Sequence, residues 1–331
     1  MGTVDDGARV AVEICMRVVP GEHVLIVTDT FTLTVGEALR KAAGRVSPQN
    51  VRLVLLEDFG KRPLTSLPKP LEESIRWANV TFYAARSLGG ELGLRKPLIK
   101  LAKKYARHAH MPSIDERLMQ EGMSADYEKI SDISKRVHEL VANAKTAHVT
   151  SPAGSDLAVE FHPQWRWKVS DGIFRTKGTW GNLPDGEVYT AAWKANGMVI
   201  AEELGDWFSD KYGLLERSSV RIGVQDSRAN LRTIKCSNTR LRKELVKYLE
   251  TDRNSNRLGE FAIGTNIFLR RLVGNLLQDE KFPSVHVAFG DPYRDETGAD
   301  WSSRTHIDAI MKNATLRVDG TTLMRNGRFL F

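Results

Sequence analysis

Cysteine is nearly absent from this chain, since its 331 residues include only Cys15 and Cys236. The two lie far apart and neither belongs to a C-x-x-C pair, which excludes a disulfide framework and a cysteine zinc finger; both are expected to be buried thiols. Long apolar runs are absent as well, because none approaches the roughly 18 residues that a membrane-spanning helix needs. The N-terminal residues show neither the basic nor the apolar stretch of a secretory signal. These absences predict a cytoplasmic protein without a membrane span.

Motifs for nucleic acids and nucleotides are also missing. The net charge is +7, but 48 Lys and Arg are interspersed with 41 Asp and Glu and no run of five basic residues occurs. Nucleic-acid binding is therefore not expected. The turn after the first predicted strand, residues 28–32, contains neither G-x-G-x-x-G nor G-K-[ST]. Without either motif, this turn is not expected to hold the phosphates of a nucleotide cofactor.

The hydrophobic content of 41% is typical of a globular protein with a sizeable core. In the first third of the chain, apolar runs that predict buried parallel strands alternate with segments of helical spacing. The predicted strands are 23–28, 51–56 and 80–84, and the predicted helices are 5–19, 34–43, 71–77 and 97–106. This β-α-β alternation predicts a small Rossmann-like parallel sheet covered by helices.

The character of the sequence changes near residue 146, where short strands and turns replace long helices. A polar segment with helical spacing precedes this change. We therefore predict an α/β chain of two domains. Residues 1–125 form the Rossmann-like N-terminal domain, 126–145 a connecting helix, and 146–331 a mixed α/β catalytic domain that binds metal.

The last quarter of the chain concentrates groups that can ligate a metal. His286 lies in an apolar run, residues 284–289, which reads as a strand because Gly290-Asp291-Pro292 follows it as a turn. His306 and Asp308 are two residues apart, so on a strand both side chains point to one face. Imidazole and carboxylate are ligands of zinc, cobalt, manganese and non-haem iron. His286 can supply a further ligand from a neighbouring strand.

Two glutamates have surroundings that favour burial. Glu187 follows the turn Gly181–Gly186 and begins the β-prone run Val-Tyr-Thr, and Glu260 is flanked by glycines and apolar residues. A buried, isolated carboxylate is costly. If both glutamates are buried, they require a cation as partner.

The segments around Glu187, Glu260, His286 and His306 resemble, in order, the successive signature blocks of the thermophilic metallo-aminopeptidases of the aminopeptidase T type. Milder similarity extends the resemblance over about two thirds of the chain. It implies that Tyr293 lies beside the metals, where it can be a ligand or a hydrogen-bond donor. One of the three carboxylates must bridge the two ions, and we predict that it is Glu260. The resemblance also implies homodimers and a short peptide as substrate, and the same metal chemistry allows a small amide. The implied ligands of a dinuclear site for zinc, cobalt, manganese or magnesium are Glu187, Glu260, His286, His306 and Asp308.

An alternative interpretation uses fewer of the same residues. His286, His306 and Asp308 also make up the two-His, one-carboxylate set of a mononuclear Fe(II) oxygenase. The ring-cleaving dihydroxypyridine dioxygenases resemble the aminopeptidase family and keep this set, but they lack the two glutamate motifs. Because this chain has both glutamates, the aminopeptidase is the preferred prediction.

A second histidine pair, His108 and His110, also has the spacing of a ligand pair on a strand. No carboxylate partner for it can be identified in the sequence. We therefore predict that both histidines are surface or interface residues.

Overall fold

The computed structural model describes residues 2–205, 207–215 and 218–331. The chain divides into two compact units, each made of two segments. Unit 1 comprises Met1–Ser131 and Ser170–Asp185, and unit 2 comprises Asp132–Val169 and Gly186–Phe331. Residues 170–185 thus belong to unit 1, although the predicted boundary places them after the connecting helix. The predicted domain limits stay a prediction.

The first part of the chain alternates strands and helices. Its elements are α1 Val4–Arg9, β1 Val24–Thr28, α2 Leu33–Val46, β2 Val51–Leu55, α3 Lys69–Trp77, β3 Val80–Ala84, α4 Leu92–Tyr105, β4 Arg107–His110, α5 Glu116–Gln120 and α6 Tyr127–Val141. A π-helical segment, Val10–Cys15, continues α1. The division between the two units falls within α6.

Strands dominate the remainder. They are β5 Thr146–Thr150, β6 Asp156–Glu160, β7 Lys168–Ser170, β8 Trp180–Asn182, β9 Glu187–Thr190, β10 Lys194–Ala201, β11 Glu203–Leu204, β12 Val220–Gln225, β13 Arg228–Ala229, β14 Leu258–Gly264, β15 Val285–Gly290, β16 His306–Met311, β17 Thr315–Val318, β18 Thr321–Arg325 and β19 Arg328–Phe329. The helices among them are α7 Trp207–Tyr212, α8 Thr239–Leu249, α9 Leu276–Asp279 and α10 Arg294–Thr297. Across the described residues, no helix combines the length and apolarity needed to span a membrane.

Unit 1 contains the predicted parallel sheet. Its strand order is β2-β1-β3-β4-β8, and every neighbouring pair is parallel. All five residues of β1 and of β3 are buried, as expected of central strands covered on both faces. The predicted α/β fold is confirmed. Strands β4 and β8, which the sequence analysis did not predict, extend the sheet at one edge.

The prediction that His108 and His110 lie at the surface is wrong, because β4 buries both. Thr81 Oγ1 lies 2.8 Å from His108 Nδ1, and the His110 ring stacks on Tyr83 with centroids 5.0 Å apart. Burial lowers the pKa of His108 to about 3. Both histidines are therefore neutral groups inside the sheet.

Unit 2 contains two sheets. The larger has the order β13-β12-β10-β6-β5-β17-β18-β19, and the smaller β11-β16-β15-β14-β9-β7. On the smaller sheet, alternate residues such as Phe261, Val287, Phe289 and Ile307 point into the hydrophobic core. This alternation leaves the opposite face of the same strands for polar groups.

A buried pair of carboxyl groups lies beside this core. Glu203 accepts a 2.6 Å hydrogen bond from Ser209 at Oε1, whereas its Oε2 has no donor among the described residues. Asp279 accepts backbone hydrogen bonds from Val273 and Gly274. Burial and then the Asp279 carboxylate raise the pKa of Glu203 well above its ordinary value of 4.5. One proton held between the two carboxyl groups satisfies both.

Glu203→Gln is expected to raise the free energy of unfolding at neutral pH by about 1–3 kcal/mol, because the amide supplies a permanent donor to Asp279. A raised folded-state pKa gives stability that is complete below the unfolded value of 4.5 and is lost as pH rises through the folded value. The variant should therefore match the wild type near pH 4 and exceed it near pH 8. Urea unfolding at both pH values measures this, and equal effects at both would contradict it.

Candidate metal centre

The smaller sheet brings the predicted ligands of its central strands to one face. Directly opposite residues on neighbouring strands point to the same side, as do residues two apart on one strand. Glu260 stands opposite Ala288, which stands opposite Asp308. His286 is two residues from Ala288, and His306 is two residues from Asp308. Strand periodicity alone therefore aligns these four groups.

The fifth predicted ligand, Glu187, joins the same face from β9. It is paired with Gly264, four residues beyond Glu260 on β14. Ala262 and Ala288, which lie between these groups on the same face, are small, whereas the larger Tyr189 and Ile310 also point to this face. The two alanines leave room for ions between the polar groups, although every residue of β14 and β15 is buried.

The first cluster joins Glu260, His306 and Asp308, with one potential ligand atom from each lying within 4.8 Å of the others. His306 Nε2 is 3.1 Å from Glu260 Oε2 and 3.4 Å from Asp308 Oδ1. His306 Nδ1 lies 2.9 Å from the carbonyl oxygen of Asp291. A hydrogen bond from Nδ1–H to that carbonyl directs Nε2 at the carboxylates, the arrangement common for metal-binding histidines.

The second cluster joins Glu187, Glu260 and His286 within the same 4.8 Å limit. His286 Nε2 is 3.5 Å from Glu187 Oε2 and 4.0 Å from Asp308 Oδ1. The side chains of Glu187, Glu260 and His286 are all buried. Glu260 belongs to both clusters, so the five residues form one continuous group.

The two histidines differ in their electrostatic surroundings. Burial opposes the protonation of His306, but Asp308 and Glu260 outweigh it and raise the pKa of His306 well above its usual range. Burial dominates at His286 and lowers its pKa, with Asp308 opposing. Burial also raises the pKa of Asp308, yet the neighbouring His306 outweighs this and lowers it. The surroundings thus favour the protonated form of His306 and the neutral form of His286.

Tyr293 lies at the edge of the same group. Its ring is 4.6 Å from the His306 ring and 5.9 Å from that of Tyr189. Its backbone has φ of +51°, a strained conformation for a tyrosine. Desolvation and then the Glu260 carboxylate raise the pKa of Tyr293 well above its usual range, although 42% of the residue's surface is exposed. The structure thus places Tyr293 next to His306, a predicted ligand. The neighbouring Tyr189 donates a hydrogen bond to Glu296.

Two charged residues that the sequence analysis missed lie against this group. Lys281 Nζ is 2.6 Å from Glu187 Oε1 and 2.9 Å from Glu280 Oε1. Burial raises the pKa of Glu280 to about 7, with Lys281 opposing and Asp308 reinforcing the shift. Both residues follow α9 in a connection without strand periodicity, so no pattern in the sequence indicated their burial.

A comparison with known protein families gives a match for the C-terminal part of the chain. The family described as thermophilic metalloprotease (M29) matches residues 232–329. The matched segment includes Glu260, His286, His306 and Asp308. It confirms the predicted family resemblance and, with it, a metallopeptidase as the class of enzyme. The comparison with curated proteins gave no match.

Solved structures of similar fold cover the whole chain. The 2,5-dihydroxypyridine dioxygenase from Pseudomonas putida KT2440 is similar with a TM-score of 0.69 and 14% sequence identity, over 99% of this chain and 96% of that chain. Wild-type AmpT from Thermus thermophilus is similar with a TM-score of 0.68 and 19% identity, over 99% of each chain. At such identities these likenesses establish the fold alone.

Proposed function

We propose that this chain, whose residues 232–329 match the thermophilic metalloproteases, is an aminopeptidase that hydrolyses the N-terminal residue of short peptides at a dinuclear divalent-metal site. One observation carries the proposal: two clusters of metal-binding side chains share Glu260. Three carboxylates and two imidazoles on one face match the ligands that zinc, cobalt, manganese or magnesium take in two-metal hydrolases.

The residues have distinct roles in this proposal. When bound, the two ions supply Lewis-acid polarisation of the scissile carbonyl and lower the pKa of the attacking water. Glu260, which belongs to both clusters, is assigned to both ions. Asp291 holds His306 in one orientation through its backbone carbonyl. Tyr293 lies beside His306, where its hydroxyl is assigned to the substrate as donor to the developing oxyanion.

The alternative is a mononuclear Fe(II) ring-cleaving dioxygenase. His286, His306 and Asp308 share a face and supply the required two histidines and one carboxylate. A dioxygenase is also among the structures that share the fold. Glu187 and Glu260 favour the peptidase, because they extend the other three residues to five potential ligands in two clusters, and a single ion would use only part of that set.

Metal content per chain distinguishes the two functions. Elemental analysis is made on protein purified without chelator or affinity nickel, and the same sample is assayed with aminoacyl-anilides. Two equivalents of zinc, cobalt, manganese or magnesium together with anilide hydrolysis support the aminopeptidase. One equivalent of iron together with oxygen uptake on dihydroxylated aromatics overturns it.

Three finer points belong to the same proposal. The substrate is a short peptide or a small amide, the protein acts in the cytoplasm, and it assembles as a homodimer. Sedimentation analysis of the metal-loaded protein measures the assembly, and a monomer at assay concentration would contradict it.

A substitution at Gly205 tests the first cluster without replacing any of the proposed ligands. A Cβ at this position would lie 2.5 Å from Asp308 Oδ2 and 2.9 Å from the Asp308 amide nitrogen. Gly205→Ala is therefore expected to displace the Asp308 carboxylate and weaken binding of one ion about 10–100-fold. Metal retention during dialysis against a chelator measures this effect.

Gly44→Ala is the matched control, because a Cβ there meets nothing within 4 Å. It should retain metal like the wild type. Unchanged retention in Gly205→Ala would show that Asp308 is not a ligand in the assigned position.

A further inference from the structure

Lys281 is a buried lysine whose ammonium group lies between two carboxylates. Its side chain is 2% exposed, and Nζ is 2.6 Å from Glu187 Oε1 and 2.9 Å from Glu280 Oε1. Its backbone is held as well, since its N–H donates to Gln278 and its carbonyl accepts from Asn266. The position of the ammonium is therefore set by the fold.

Such burial requires a reason, because an ammonium taken out of water is strongly destabilising unless it is well paired. The contact with Glu187 joins residues 94 apart in sequence. One of its partners, Glu187, is also a member of the second metal-binding cluster. The pairing therefore constrains a group that is assigned to bind metal.

The ion pair with Lys281 is made by the Oε1 oxygen of Glu187. Lys281 binds Oε1, whereas Oε2 is the oxygen 3.5 Å from His286 Nε2. We propose that Lys281 is a positioning residue that fixes Glu187 as a metal ligand through Oε2 alone. This inference rests on the proposed dinuclear function, and it assigns Lys281 to the ion near His286.

The consequence is expected to be selective. The ion pairs of Lys281 are with Glu187, which belongs to the second cluster, and with Glu280, which belongs to neither cluster. Loss of a partner that orients a ligand typically weakens metal binding 10–100-fold. Only one of the two ions should therefore be affected.

The test is a manganese titration in competition with a chromophoric chelator, made on the wild type and on Lys281→Met. The wild type should bind two equivalents. The variant should bind one equivalent with unchanged affinity and the other about 10–100-fold more weakly. Lys281→Arg, which keeps a charged donor beside Glu187, should restore most of the affinity. Two unchanged affinities, an equal loss at both sites, or tighter binding at either site would overturn the assignment.

Lys211→Met is the matched control, because it removes a lysine from an ion pair with Glu244 outside the two clusters. It should bind both ions like the wild type. If Lys281→Met does not fold, Lys281→Gln keeps a polar side chain in the buried position and is held to the same outcomes. A wild type that binds one equivalent would overturn the dinuclear function itself, whereas two equivalents with an unaffected Lys281 variant would overturn only the role of Lys281.

Discussion

Glu260→Gln is expected to lower kcat/KM for aminoacyl-anilides by about 10³-fold or more and to weaken the binding of both metal ions. Glu260 is the residue shared by the two clusters, so its charge and oxygen atoms are assigned to both ions. Metal ions contribute several kcal/mol of transition-state stabilisation, and each 1.36 kcal/mol is a factor of ten in rate. The amide keeps the shape of the side chain but carries no charge, which makes it a poor ligand for two ions.

The measurement pairs activity with elemental analysis of the same sample. Glu250→Gln makes the identical chemical change at an exposed position and should alter neither reading. The substitution is near-isosteric, so circular dichroism should show a folded protein. A folded Glu260→Gln that kept two equivalents and wild-type activity would refute the shared-ligand assignment and the peptidase mechanism built on it.

The parts of the fold that could be predicted are those with a strong local pattern. The strand at Val24–Thr28 is an uninterrupted apolar run, and a strand covered on both faces needs such a run. The spacing of His306 and Asp308 places both on one face of any strand, and the register with β15 then adds His286 to that face. The grouping of these residues follows from period-two geometry. Their role as ligands stays a prediction.

The features that were missed depend on contacts between distant parts of the chain. Strand β8, Trp180–Asn182, has only three residues and becomes a strand by pairing with β4. All four residues of β4 are buried. The sequence did not indicate this, because His108 and His110 are polar and their composition does not reveal the strands that pair with β4. Lys281 reaches Glu187 across 94 residues, and no periodicity links the two. Tertiary context determined each of these outcomes.

Tyr293→Phe is expected to lower kcat by about 10²-fold while both metal ions remain bound. The Phe ring preserves the contact with His306, where the centroids are 4.6 Å apart, and the same backbone conformation. Only the hydroxyl is lost. If that hydroxyl donates to the oxyanion, the loss resembles the removal of one oxyanion-hole donor, which costs about 10²–10³-fold in kcat. Because ground-state binding does not use this hydrogen bond, KM should change little.

Steady-state kinetics and a metal titration of the same variant separate the two roles implied for Tyr293. A donor to the oxyanion gives the loss of kcat with wild-type metal affinity, whereas a ligand gives weaker binding of one ion. Tyr105→Phe, which removes a hydroxyl bonded to Arg76 outside the metal-binding clusters, should leave both readings unchanged. A Tyr293→Phe variant with wild-type kcat and wild-type metal affinity would exclude both roles, and the strained backbone beside His306 would then serve the structure of the loop alone.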